Sequence, residues 1–243
     1  KANEIKHAGT YTVTIEGMGN YEGSVERTFE VAKADADITG TPGNISNVTY
    51  DPNTTYLENL FADVDVKYTS GSNNGQTTGL TPTVKVEYKA INGTITTVYV
   101  TKAAEGNVVV NDAEGNPASA IVIKDAGTYT ITYSFANDNF NTVESKTVIV
   151  TIGQATVSLT TDYINSIKNQ TYGNALPTIP DYKIGTTVIG SWTWNTSETT
   201  VGNATAEGKY NTFTAVFTPG EGYENNYTTS SIDVDFIVAK ARL

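Results

Sequence analysis

The stretch HAGTYTVTIEG (His7 to Gly17) returns as DAGTYTITYSF (Asp125 to Phe135) and, more loosely, as AEGKYNTFTAVF (Ala206 to Phe217). A strand written three times in one chain constrains the architecture more than any composition figure, because self-similarity of this kind marks repeated structural units. In the first copy Tyr11, Val13 and Ile15 alternate with Thr10, Thr12 and Thr14. That is the period-two pattern of a strand with one face in a core and one in water. The second copy places Tyr129, Ile131, Tyr133 and Phe135 inward, with Thr128, Thr130, Thr132 and Ser134 outward. In the third copy Phe213, Ala215 and Phe217 share a face but Tyr210 is out of phase with them, which predicts a β-bulge near Asn211 and Thr212.

Each copy then reaches an asparagine followed by an aromatic: Asn20-Tyr21, Asn139-Phe140 and Asn226-Tyr227. A second strand follows, clearest as Ile232, Val234, Phe236 and Val238, with Asp233 and Asp235 facing out. The units close on VAKA (Val31 to Ala34), IGQA (Ile152 to Ala155) and VAKA (Val238 to Ala241), which divide the chain. Residues 1–33 read as the last hairpin of an incomplete module, 34–153 as a β-sandwich with an extra hairpin, and 154–243 as another sandwich. The extra segment, Val84 to Val100, carries Asn92-Gly93 between two alternating runs, a type I′ hairpin signal. An isolated hairpin is marginal in water, so the first 33 residues are expected to stack on the second unit; fraying, or pairing with another chain, are the alternatives. The whole reads as a slice through a longer array.

Composition agrees with strands. At 243 residues there is room for two ordinary domains, and 15 Tyr with many Thr and Val favour a pleated, half-buried surface over helices. The expected class is all-β. A net charge of −11 leaves no basic footprint for nucleic acid or for adsorption to an anionic membrane. With no cysteine there is neither a disulfide framework nor a thiolate metal site. No apolar run approaches the length of a bilayer-spanning helix.

The segment DAGTY (Asp125 to Tyr129) resembles the D-x-G-x-Y signature of immunoglobulin-like domains. That resemblance implies that Tyr11, Tyr129 and Tyr210 are tyrosine corners, each hydroxyl bonding back to the backbone. Val13 and Ile131 stand where antibody-type domains have a cysteine, which implies a disulfide-free sandwich. The third unit resembles the MBG-type Ig-like repeats of large bacterial surface adhesins, through TYGNALP (Thr171 to Pro177), GSWTWN (Gly190 to Asn195), FTP (Phe217 to Pro219), NNY (Asn225 to Tyr227) and the terminal VAKA. These motifs follow that family's order over nearly all of 154–243; the first 33 residues match in part, and 34–153 diverge more. The resemblance implies tandem Ig-like modules laid end to end, a non-enzymatic stalk, and a location outside the cell, secreted or attached to the wall. Its partners would be neighbouring modules, with a glycan or host surface protein as a further candidate.

Candidate chemistry is sparse. The only histidine, His7, precedes a strand and reads as a surface loop residue rather than a catalytic base. Calcium is a candidate at Asp35 and Asp37, at Asp63 and Asp65, and at Asp112 with Glu114, but no D-x-D-x-D-G loop is present and alternate acids on a strand face solvent. No resident cofactor is therefore expected. Lys33 and Lys240 are candidate donors for an internal isopeptide, with a solvated lysine as the plainer reading. Trp192 and Trp194 lie on one face of a strand, either as a stacking platform for a glycan or as core; the polar face formed by Ser191, Thr193 and Asn195 favours core. Among loops, Thr69 to Pro82 is the best candidate for recognising a ligand, the alternative to a stalk.

Overall fold

The computed structural model describes residues 5–43, 45, 47–102, 106–118 and 123–242. It is mostly β, with 46% strand and 6% helix, spread over several sheets. Residues 1–4 of the first segment and Leu243 lie outside the described residues.

The first repeated strand, β1 (Gly9–Glu16), pairs antiparallel with β2 (Ser24–Val31), Tyr11 opposite Phe29 and Ile15 opposite Val25. Next come β3 (Ala36–Thr39), β4 (Val48–Thr49), β5 (Asp65–Tyr68), β6 (Thr83–Ala90), β7 (Ile95–Lys102), β8 (Val108–Asn111), β9 (Gly127–Ser134) and β10 (Lys146–Gly153). They form a six-stranded sheet in the order β4-β10-β9-β6-β7-β8, faced by the two-stranded sheet of β3 and β5. The inward side chains predicted for the second copy are its centre: Tyr129, Ile131 and Tyr133 are fully buried against Val84, Val86, Val66 and Leu60.

The rest of the chain supplies β11 (Ala155–Thr156), helix α1 (Thr161–Ile167), β12 (Asn169–Thr171), β13 (Tyr182–Ile184), β14 (Thr187–Trp194), β15 (Asn211–Pro219), β16 (Tyr227–Thr228) and β17 (Ser230–Ala239). Five of these strands form a sheet in the order β12-β17-β15-β14-β13, and β11 pairs with β16. Its buried clusters run from Val157 to Val238, apart from the interior built by residues 38–152; Tyr50 touches both. The alternation read along β17 holds, with Val234, Phe236 and Val238 buried and Asp233 and Asp235 exposed. The two aspartates accept from Thr214 and Thr212 across the strand pair, each at 2.6 Å.

Two local expectations are corrected. No bulge occurs near Asn211: β15 pairs with β17 in continuous register from Asn211 to Phe217, and the irregularity lies between Tyr182 and Lys183 instead. The hairpin joining β6 and β7 forms, but not through a type I′ turn. That turn needs positive φ at both central residues, and Asn92 is not among the non-glycine residues with positive φ. Instead Gly93 N–H bonds Ala90 O, and Gly93 takes φ 88° before Thr94 O closes on Ala90 N–H. The first hairpin meets the second unit at its end, where Ala8 N–H donates to Asn139 Oδ1, while Val13, Ile15, Val25 and Phe29 remain 40–56% exposed.

Burial in this interior raises tyrosine pKa values. Loss of solvent, with Asp125 nearby, pushes the Tyr88 phenol up to about 12. Burial moves Tyr129, Tyr133 and Tyr227 further in the same direction. An unfolded tyrosine ionises near pH 10, so between that pH and the folded values the unfolded chain holds fewer protons. The stability from these neutral phenols is complete below about pH 10 and is lost as pH rises through the folded values. Alkaline titration followed by phenolate absorbance and circular dichroism is expected to show a late class of tyrosines ionising together with loss of the β signal. Ionisation of all tyrosines with the fold intact would contradict it.

Candidate functional site

Two handovers along the chain, around Ala34 and Ala155, share a construction, seen first at the Asp-Ala-Gly-Thr-Tyr loop. Gly127 enters β9 at φ 153°, a conformation that L side chains rarely adopt. Two residues on, the Tyr129 hydroxyl donates to Asp125 O at 2.7 Å and fixes the loop from inside. Ala126 is then fully buried and needs an acceptor for its N–H. Asn226 of the following unit provides it, accepting from Ala126 N–H at Oδ1 over 2.8 Å. With Oδ1 so occupied, the amide nitrogen faces Asp125 and donates to Oδ1 of its carboxylate at 2.9 Å. The same asparagine's backbone oxygen accepts from Ala155 N–H at 2.9 Å, where the chain enters the third unit.

The first handover repeats each bond. The Tyr11 hydroxyl donates to His7 O at 2.8 Å, and Ala8 N–H donates to Asn139 Oδ1 at 2.9 Å. Asn139 Nδ2 lies 3.2 Å from His7 Nδ1, which must be the acceptor because the amide nitrogen can only donate. Ala34 N–H donates to Asn139 O at 2.9 Å, matching Ala155 on Asn226. A single asparagine thus holds three groups: the loop of the unit before, the side chain that opens that loop, and the linker between the two.

The surroundings differ. At the second handover Asn226 is buried, Asn225 Oδ1 accepts from Asn92 N–H at 3.0 Å, and Tyr50 meets Tyr227 edge-on at 5.3 Å. Gln154 Nε2 donates to Glu224 O at 2.8 Å. At the first, the linker is held by Asp35, which accepts from Asn141 Nδ2 at 2.7 Å and Ser70 Oγ at 2.9 Å. These two donors hold the Asp35 carboxyl below its ordinary range.

Tyr210 departs from Tyr11 and Tyr129. It is 48% exposed and lies beneath the Lys168 ammonium, 5.8 Å from the ring centroid, and its hydroxyl has no bond to Ala206. Register explains the difference: Tyr11 faces Phe29 and Tyr129 faces Val150, whereas the residue facing the corresponding Phe236 is Asn211. Asn211 Nδ2 takes over the bonds to the backbone, donating to Val201 O and Asn203 O at 2.8 Å each. The tyrosine is one residue out of step and no bulge brings it back.

Trp192 and Trp194 both face the interior and offer no flat platform. Trp192 is buried beside Phe217, and Trp194 packs on Phe213 and Phe236 while donating from Nε1 to Pro177 O at 2.8 Å. Half of the Thr69–Pro82 stretch folds back on β5 through Tyr68 N–H to Gln76 O and Thr78 N–H to Val66 O. Three more of the candidate calcium acids accept hydrogen bonds from neighbouring groups. Asp37 accepts from Ile38 N–H, Asp65 from Thr77, and Asp112 from the N–H groups of Glu114 and Asn116. No group of three or more such ligands occurs among the described residues. Lys33 and Lys240 are exposed.

Asn139 and Asn226 served in the sequence only as landmarks of the repeat. Their recurrence before an aromatic was the available signal, but which atoms they meet depends on the neighbouring unit's pose. No family model, curated protein or solved structure matches the chain.

Proposed function

We propose that this chain is a non-enzymatic, load-bearing spacer: a run of Ig-like β-sandwich modules from a bacterial cell-surface adhesin, working outside the cell. The observation that carries this reading is the asparagine clasp, present with the same atoms at both handovers. A catalytic protein needs convergent reactive groups; a spacer needs each unit held at a set angle to the next. Three bonds to one residue, two through its side chain and one through its backbone carbonyl, with the loop already fixed by its own tyrosine, restrict that angle without a large interface. The exposed threonine and aspartate faces of β15 and β17 keep neighbouring rods solvated and apart.

The test is the particle's shape in solution. Small-angle scattering of the wild-type chain is expected to give an elongated particle with a defined maximum dimension. The double variant Asn139→Ala, Asn226→Ala is expected to broaden the distance distribution while the β signal in circular dichroism stays. A compact particle, or a profile unchanged by the double substitution, would overturn the spacer.

A further inference from the structure

The first hairpin has the same register as the pair β9 and β10, so what surrounds β9 shows what β1 lacks. On the edge away from β10, β9 carries β6 antiparallel, with Val84 opposite Tyr133, Val86 opposite Ile131 and Tyr88 opposite Tyr129. On the edge away from β17, β15 likewise carries β14. The corresponding edge of β1 has no partner strand among the described residues.

A second observation identifies what would fit there. Gly127 and Gly9 share an unusual backbone, at φ 153° and 148°. At Gly127 a side chain would collide with β6, because its Cβ would stand 2.5 Å from both Lys89 O and a Tyr88 ring carbon. At Gly9 nothing lies within 4 Å of that position. The seat that receives an aromatic ring and a strand backbone beside β9 is matched beside β1 by open space among the described residues. Tyr129 stacks on Tyr88 of β6 at 4.7 Å, whereas the ring stacked on Tyr11, Phe29 at 5.6 Å, belongs to its own hairpin partner β2. The residues that become core in the second unit, Val13 and Ile15 in the first, are 44% and 56% exposed.

We propose that the free edge of β1 is a strand-acceptor site whose occupant is an extended segment of the β6 type, from a further unit of this same repeat. It would enter antiparallel to β1, with apolar residues at alternate positions facing Val13 and Ile15 and an aromatic residue seated over Gly9. Main-chain hydrogen bonds supply affinity in such strand addition, and the alternate side chains supply selectivity. This rests on the repeated-unit reading above; the clasps, the first of which holds the neighbouring Ala8, are tested separately by particle shape.

The probe is a synthetic peptide with the sequence of residues 81–92, added to the full chain. Hydrogen exchange is expected to slow across Gly9–Glu16 and to leave the β15 amides unchanged. A peptide in which the tyrosine corresponding to Tyr88 is alanine is expected to bind about tenfold more weakly, in line with the loss of a buried aromatic pair. Gly9→Ala in the chain is expected to abolish the protection, since its Cβ would fill the seat while meeting no other group of the chain. No protection at millimolar peptide would overturn the site. So would equal protection with the alanine peptide or with Gly9→Ala, which would mean indiscriminate adsorption to an apolar face. Dimerisation of the chain through β1 itself, seen by sedimentation and suppressed by the peptide, would replace the proposed occupant with a second copy.

Discussion

Asn226→Leu is expected to release the third unit from its fixed angle to the second without unfolding either. Leucine fills much the same space but accepts nothing, so the buried Ala126 N–H loses its partner and the Asp125 carboxylate loses a donor. Leaving a buried donor unmade costs about 1–3 kcal/mol, enough to populate undocked arrangements. The chain has no cysteine, so Thr147→Cys and Ser231→Cys, both exposed strand positions, accept spin labels cleanly. The distance distribution between the labels is expected to change from narrow to broad in the leucine variant. Asn226→Asp makes a sharper test. It keeps an acceptor for Ala126 but sets a second carboxylate against Asp125, where the amide now donates over 2.9 Å. At neutral pH the two charges repel and the distribution broadens. In acid the pair takes up one shared proton, which restores a hydrogen bond, and the distribution narrows again. Acid is expected to do nothing for the leucine variant, and a rescue there would show that the clasp is not what holds the angle.

Gly127→Ala is expected to be among the most destabilising single changes in the chain, while Gly9→Ala, at the same place in the repeat, is expected to cost the backbone strain alone. Both force an L residue into a backbone region that it rarely adopts, which costs on the order of 1–3 kcal/mol. At Gly127 the methyl also meets the Lys89 carbonyl and the Tyr88 ring at 2.5 Å, so β6 must shift away from β9 in the middle of the six-stranded sheet. The combined cost is about 3 kcal/mol or more, a drop of roughly 10 °C in the melting of the second unit. Thermal melts followed by near-ultraviolet circular dichroism, which reports the packed tyrosines, measure it. Equal melting of the two variants would mean that β6 does not sit against Gly127 as described.

Much of the fold was legible because the hydrophobic alternation has a period that only strands share. Tyr129, Ile131 and Tyr133, and later Val234, Phe236 and Val238, announced their faces directly. Turn chemistry was legible in place but not in type. Asn92-Gly93 marked the hairpin, yet the four-residue loop lets Gly93 alone take positive φ and leaves Asn92 N–H free to reach Asn225. Tyr210 misled because a short sequence match carries no register; only pairing with Phe236 shows that Asn211 holds the equivalent place. The Trp192 and Trp194 pair could be assigned to core from the polar residues between them. The handover asparagines could not be assigned at all, since their side chains' partners lie about 100 residues or more away, on loops brought to them only by the tertiary fold.

The short parallel pairings at the unit margins bear on how such a chain breaks. In the third unit Asn169–Thr171 runs parallel to Ile237–Ala239, and in the second Val48–Thr49 runs parallel to Ile152–Gly153. One member of each pair leads toward the unit's beginning and the other toward its end, so tension on the two termini drags them in opposite directions along their length. Every bond across the pair then slides at once, where an antiparallel hairpin tugged at its open end would unzip bond by bond. The third unit carries two such parallel seams, Ala155–Thr156 on Tyr227–Thr228 and Asn169–Thr171 on Ile237–Ala239, against the single two-residue seam of the second, so the second unit is expected to give way first when single molecules are pulled.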